Sequence, residues 1–475
     1  MSPAPTLIVR EVRCGVRPVR LRLPFRFGNI TLSACPQLFV EVVVDVGARR
    51  ATGHAAEMMV PKWFDKRAGR SHANNVTDLA DAVTRTAAAY ASDSPASAFG
   101  LFTRHHASLM RAGQDGGATA LSAAYGQAVI DRAVIDGLCR ALGLSFFDAM
   151  ASNAVGLQDT PLVPDLQGLD WDAWLAALQP LRRVAARHTV GLLDALHGQQ
   201  VDAQGLPVSL DAVIARHGHR HFKIKLGGDA RADAHRLADV LEVLDTQAAD
   251  HQFTLDGNEQ YADADALLGL FTALKSVPAL RRRQQALLYI EQPLARDRSL
   301  EAPLPWADAP APLLMDEADA TLGAFAQGQP LGWHGVSSKS CKGLYKALIN
   351  RARCDRSNDA ARRDGQPARA FMSAEDLTCQ AGLSVQQDLA LAALLGLAHC
   401  ERNGHHYGGG FGSAPAAEAL AFAAAHADLY RGDPAALQIS DGCLALDSLF
   451  CPGFAHGADP DLAGLQPLSD AQSLL

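Results

Sequence analysis

The spacing of apolar residues changes character about one third of the way along the chain. In the first part, Leu38 to Val46 is a valine-rich run that suits a strand. Asn75 to Ala91 and Ala118 to Leu142 carry apolar residues at helical spacing. Two strand-like and three helix-like stretches over the first 150 residues predict an α+β unit. From about Thr189 onward, short β-branched or leucine-rich segments alternate with amphipathic helices, the texture of a parallel α/β domain. The helices expected there include Ala230 to Ala248, with Leu237, Val240, Leu241 and Leu244 on one face, and Asp263 to Lys275, with Leu267, Leu270, Phe271 and Leu274.

Strand ends are expected at Lys225, Asp256, Glu291, Asp316 and Lys339, with Glu375 and Asn403 as weaker markers. The first four gaps are 31, 35, 25 and 23 residues. An eightfold βα barrel uses about 31 residues per unit, so this spacing fits one, although a doubly wound sheet has similar units. Length separates the two, because Pro161 to about Ala425 holds eight units. The reading is therefore a (β/α)8-type barrel over residues 156–430, a modified TIM barrel, with an N-terminal α+β capping domain over 1–155. A tail over 431–475 is expected to return to the cap. Cys354 to Pro367, rich in Arg, Asp and Gly, reads as an exposed insertion.

Composition narrows the classes. An apolar fraction of 48% with 20% charged residues excludes wholesale disorder and rod-like folds. The formal charge of −8 argues against a nucleic-acid partner. The longest uncharged apolar runs fall well short of the roughly 18–20 residues of a membrane span, and Met1 to Cys14 has no signal-like apolar core. A cytoplasmic protein with no membrane partner is expected. Its nine cysteines lack any Cys-x-x-Cys pair and read as reduced thiols.

Chemistry enters where strands carry charge. In His221-Phe222-Lys223-Ile224-Lys225-Leu226, alternation sends Phe222, Ile224 and Leu226 to one side and both lysines to the other. In a barrel those lysines point inward, which is costly unless anions or a function compensate. The next three strands end in Asp256, Glu291 and Asp316. A lone acid after a strand is commonly a helix cap, but three aimed at one barrel mouth repel unless a cation sits among them. All-oxygen ligation suits Mg2+. Lys225 and Lys339 then flank the acids from opposite sides. The pattern suits removal of a proton alpha to a metal-bound carboxylate, with Lys223 as the like-charge neighbour that lowers the pKa of Lys225.

These residues resemble the enolase superfamily, in the branch of the muconate-lactonising and mandelate-racemase enzymes. The resemblance rests on Lys223-x-Lys225, Asp256-x-Asn258, Ile290-Glu291-Gln292-Pro293, Asp316-Glu317 and the Lys339 strand, in order and at the family's spacing. Ala128 to Asp136 is similar to the helix that closes the family's cap. The resemblance implies Asp256, Glu291 and Asp316 as Mg2+ ligands, with Lys225 and Lys339 as acid/bases on opposite faces. Lys223 would contact the substrate carboxylate, and Asn258 and Glu317 would support the metal shell. It implies a small-molecule carboxylate substrate, an enolate intermediate and a homo-oligomer. Racemase, epimerase or cycloisomerase chemistry is the leading expectation. An acid-sugar dehydratase is the alternative, ahead of a Schiff-base lyase or a non-catalytic binding protein.

Departures are visible too. Phe371 to Asp376 contains no histidine where the mandelate-racemase type has one, which favours the two-lysine arrangement. Glu259 stands where the family has Gln and is expected to add charge near the metal. Lys342 is a rival to Lys339. Asn403 and His405 are candidates for substrate contact, although adjacent histidines are more often structural. Two cap segments are expected to close the mouth: Pro24 to Leu32, with Arg26 as a candidate for a distal anion, and Gly53 to Arg70, with Lys62 and Trp63.

Overall fold

A computed structural model describes residues 3–475 apart from Gln199, Gln204 and Ala249. The chain begins with three antiparallel strands, β1 (Leu7–Phe27), β2 (Ile30–Val46) and β3 (Arg49–Met58). Helices α1 (His72–Ala91) and α3 (Ala120–Leu142) pack against them, and α2 (Ala98–Asp115) packs on α3 and α1. Each helix opens on a serine or threonine cap, Ser71, Ser97 and Thr119, whose side chain accepts from a first-turn N–H. Helix α3 lies so close to β3 that a Cβ at Gly53 would stand 2.1 Å from the Ala133 carbonyl oxygen. Glycine is required there for the helix to seat on the sheet.

Eight parallel strands follow: β4 (Arg183–Val190), β5 (His221–Lys225), β6 (Gln252–Asp256), β7 (Leu287–Glu291), β8 (Leu313–Met315), β9 (Gly335–Ser338), β10 (Phe371–Ala374) and β11 (His399–Arg402). Each pairs with the next, and β11 pairs with β4 to close the barrel. The expected strand ends fall at the last strand residue or one beyond it. The helices predicted from Ala230 and Asp263 are observed as Ala230–Gln247 and Ala264–Ser276.

Alternation does what the sequence required. Phe222, Ile224, Phe253, Leu255 and Ile290 are buried in the apolar layer with Leu237, Leu241, Leu267 and Phe271 of the outer helices. The opposite faces are polar. Arg187 pairs with Glu375, and its Nη1 donates to Ser373 at 3.1 Å. Tyr289 donates to Glu375 at 2.7 Å, and Thr189 to Glu401 at 2.6 Å. An ion-pair lattice thus occupies an interior that branched aliphatic side chains fill in most such barrels. Every buried charge must find a counter-charge, since an orphaned one costs about 3–5 kcal/mol.

Two features differ from expectation. Residues 354–363 are the second half of a helix, Leu344–Arg363, and not an insertion. Arg351–Asp355 and Asp359–Arg362 pairs carry the helix outward, and no glycine or proline interrupts it before Gly365. The C-terminal segment also touches more than the cap: Cys443–Ala445 pairs with β4, and only then does Gln466–Pro467 add to β1. All nine cysteines are free. Among the described residues, no helix is long and apolar enough to cross a membrane.

Candidate active site at the barrel mouth

Register brings the charged strand ends together. Lys225 lies opposite Asp256, and Asp256 opposite Glu291. Lys225 Nζ donates to Asp256 Oδ2 at 2.6 Å, and Lys339 Nζ to Asp316 Oδ2 at 2.6 Å. Burial opposes the charge on Lys339, but Asp316 outweighs it and holds the ammonium group well above the usual lysine value. Both lysines line one cavity with Asn258, Glu401, Asp376, Asn403, Leu377 and Thr378. The cap supplies its roof: Phe25 and Phe27 from the β1 end, and Val60 and Trp63 after β3. Lys225 Nζ lies 5.6 Å from the Phe25 ring centre, and Lys339 Nζ 4.5 Å from that of Trp63. The cavity measures about 20 Å³, room for little more than a water molecule. Admission of anything larger therefore requires the cap segments to move.

Lys223 lies deeper. Its Nζ is 2.9 Å from Asp256, 2.8 Å from Glu291, 2.8 Å from Glu375 and 3.0 Å from Glu401. Burial alone would lower its pKa, yet these four carboxylates push it well above the lysine range. Lys223, expected to stand beside Lys225 as a bare like charge, is thus itself paired with four carboxylates, and it does not line the cavity. Its visible role is to hold the carboxylates together. Lys342 does not line the cavity: it donates to Ser337 Oγ at 2.8 Å and to the Asp316 carbonyl at 3.1 Å, and pairs with Asp319 at 2.9 Å.

The donor set fits a hard divalent cation in its chemistry. Asp256, Glu291 and Asp316 offer only oxygen, and the buried Asn258 Oδ1 and Glu317 Oε2 beside them have no hydrogen-bond partner. Burial, then the neighbouring Asp256 and Glu375, raises Glu291 well above the usual carboxylate range. That is the electrostatic signature of an acid crowd short of positive charge. The oxygens of Asp256, Glu291 and Asp316 do not gather within 4.8 Å of one another, since lysines intervene. Gln292 fixes part of the set, its Oε1 accepting from the Asp316 and Ala318 N–H groups. Asn258, Glu259 and Gln292 all have positive φ, strain concentrated beside the acids.

Of the remaining expectations, Asn403 reaches the site and donates to Glu401 at 3.2 Å. His405 does not line the cavity. Arg26 is exposed and its Nε donates to the Gly28 carbonyl, so the structure does not bring Arg26 into the site. Lys62 turns to the Arg67 and Arg70 carbonyls. Glu259 adds no free charge: burial opposes its ionisation, but Arg296 and Lys66 pull it down to about 2. It acts as a clasp, because Arg296 also donates to the Trp63 and Phe64 carbonyls and Lys66 reaches Glu317 at 3.2 Å. Lys66, Arg296, Glu375 and Glu401 were not anticipated as site residues. The acids at 375 and 401 did carry a signal, as inward positions of strands that already face lysines.

The closed barrel under its N-terminal cap is similar to the fold of the enolase superfamily, and two findings carry that resemblance. The family model described as Enolase C-terminal domain-like matches residues 207–330. Solved structures match nearly the whole chain. An enolase from Mycobacterium smegmatis complexed with tartrate aligns at TM-score 0.61 and 15% identity, over 99% of this chain and 91% of that one. Muconate lactonizing enzyme from Pseudomonas fluorescens, complexed with muconolactone, aligns at 0.55 and 15%, over 95% and 97%. Dipeptide epimerase from Cytophaga hutchinsonii, complexed with Mg and D-Ala-L-Val, aligns at 0.58 and 15%, over 97% and 98%. At such identity these likenesses speak for the fold. No curated protein sequence matches the chain.

Proposed function

We propose that the protein is an enzyme that moves the proton alpha to a substrate carboxylate, as a racemase or epimerase with Lys225 and Lys339 as its two acid/bases. The observation that carries this reading is that two buried lysines from β5 and the β9 end face one capped cavity, each held to a different acid. Asp256, Glu291 and Asp316 would hold Mg2+, whose chemistry at such a site is Lewis-acid stabilisation of charge on a carboxylate oxygen.

Lys225 takes the proton from one face of the alpha carbon, and Lys339 returns one to the other. Asn403 and Thr378 offer polar contacts, while Phe25, Phe27 and Val60 cover an apolar side group and exclude water. The magnesium and the dipeptide named for one structural neighbour, and the muconolactone of another, support this class of substrate. Cycloisomerisation would use the same pair, with one lysine stabilising charge.

The test is solvent deuterium exchange at the alpha carbon, followed by NMR across a panel of chiral carboxylates with Mg2+ present. Lys225→Ala is expected to lose exchange from one enantiomer and Lys339→Ala from the other, each by roughly 10²–10⁴-fold. Exchange from both enantiomers at wild-type rates in Lys225→Ala would sink the assignment.

A further inference from the structure

A second cluster of donors lies on the other side of the barrel wall. Arg187 and Thr189 of β4 bond to the acids inside the barrel, so His188 between them faces outward. It meets His219, which precedes β5, and His405, which follows β11. Ring centres are 5.2 Å apart for His188–His219, 5.9 Å for His188–His405 and 5.7 Å for His219–His405. One nitrogen of each ring lies within 4.8 Å of the others. His217 and His406 complete the ring of imidazoles, at 5.7 Å from His405 and 4.9 Å from His188.

These nitrogens are buried and idle. His188 Nδ1, His219 Nε2 and both nitrogens of His405 have no hydrogen-bond partner. A buried polar group without a partner costs about 1–3 kcal/mol, so a native cluster of them calls for an explanation. His219 is also oriented for ligation: its Nδ1 bonds the Ala186 carbonyl at 3.0 Å, leaving Nε2 aimed into the cluster. Metal-binding histidines are commonly fixed by such a backbone carbonyl. No carboxylate belongs to the three-histidine set, so its chemistry suits the imidazole-preferring cations and not Mg2+.

We propose that His188, His219 and His405 form a binding site for a divalent transition-metal ion of the zinc type. Bonds of about 2.0–2.1 Å to a tetrahedral ion would draw the nitrogens to about 3.4 Å from one another, a modest closure from their present spacing. Water or His217 supplies the fourth ligand. Burial and the neighbouring rings keep His188 and His405 neutral, and neutral imidazole is the ligating form. Arg22, the cation that acts on His405 and His406, is paired with Asp202 at 2.7 Å and also donates to the His406 and Pro207 carbonyls. The ion would brace the 403–407 segment against β4. That segment carries Asn403 into the cavity and stacks Tyr407 on Phe25 of the cap, at 4.3 Å between ring centres.

Cobalt(II) reports tetrahedral ligation through visible d–d absorption, so the chelator-stripped full chain is titrated with Co2+ alone in excess Mg2+. One equivalent with intense visible bands, displaced by Zn2+, is expected. The bands are expected to persist in Glu291→Gln and to disappear in His219→Phe and in His405→Leu, each checked for folding by circular dichroism. Absence of the bands in the wild-type protein overturns the proposal without recourse to any variant. Bands that survive in both folded histidine variants overturn it equally.

Discussion

Among the described residues, two clusters bring three potential metal ligands within 4.8 Å, and they are built on opposite plans. His54, Asp136 and His456 join the cap to the C-terminal segment. There Asp136 accepts from the His54 N–H at 2.8 Å, the Phe454 N–H at 2.6 Å, His456 at 2.9 Å and Arg140 at 3.0 Å. Only His54 Nδ1 lacks a hydrogen bond, and it faces the exposed Asp459 at 3.5 Å. The His188, His219 and His405 set has no acid and several idle nitrogens. Proximity of donors is common to both. What separates a clasp from a ligand site is whether the hydrogen-bonding capacity of those donors is already spent.

The contrast predicts a large loss from the clasp. Asp136→Asn keeps the shape but turns an amide N–H₂ toward donors and leaves Arg140 without its buried partner. Destabilisation of about 3–5 kcal/mol is expected from denaturant melts. The effect has a defined pH sign. Burial works to raise the Asp136 pKa, but His456, Arg140 and the Phe454 N–H outweigh it and hold the carboxyl well below the usual Asp range. A group depressed in the folded state stabilises it above the unfolded pKa of about 3.9 and loses that contribution as pH falls further. The gap between wild type and Asp136→Asn should therefore be full at pH 6 and shrink below pH ~4. A gap that widened in acid would refute the clasp.

His456→Gln is the intermediate case. His456 bonds Asp136 and the Ala458 carbonyl at 2.9 Å each, so losing these contacts should cost about 1–3 kcal/mol. Because the clasp is saturated, Zn2+ should raise the melting temperature of this variant by as much as it raises that of the wild type. A zinc response that vanished in His456→Gln would move the metal to the clasp and reverse the comparison.

The two clusters also differ in how far the sequence disclosed them. Barrel, cap and the carboxylate–lysine mouth were legible because strand alternation and unit spacing are local signals: Lys225, Asp256 and Glu291 each end a strand whose alternate positions are apolar. His405 was visible as half of a histidine pair, but its partners His188 and His219 are 217 and 186 residues earlier in the chain. Only barrel closure between β11 and β4 unites them. The charge pairing of Lys223 is not legible in the sequence, because its acids come from four other strands or strand ends. Charge pairing of that kind depends on depth within the barrel, which periodicity does not encode.

The smallest effect belongs to the rim of the clasp. Asp459 lies 3.5 Å from both His54 Nδ1 and Arg140 Nη2, but its side chain is 63% exposed. Exposed ion pairs contribute about 0–1 kcal/mol, since water and salt screen them and two side chains must be held in place. Asp459→Ala should therefore shift stability by less than about 0.5 kcal/mol, a difference that fades in high salt. It should leave His54 Nδ1 facing solvent, and so leave both the low-pH slope set by Asp136 and the Co2+ bands unchanged. A loss as large as that of Asp136→Asn would mean that the clasp draws its stability from its exposed edge, and that saturation of the buried donors is not what distinguishes the two clusters.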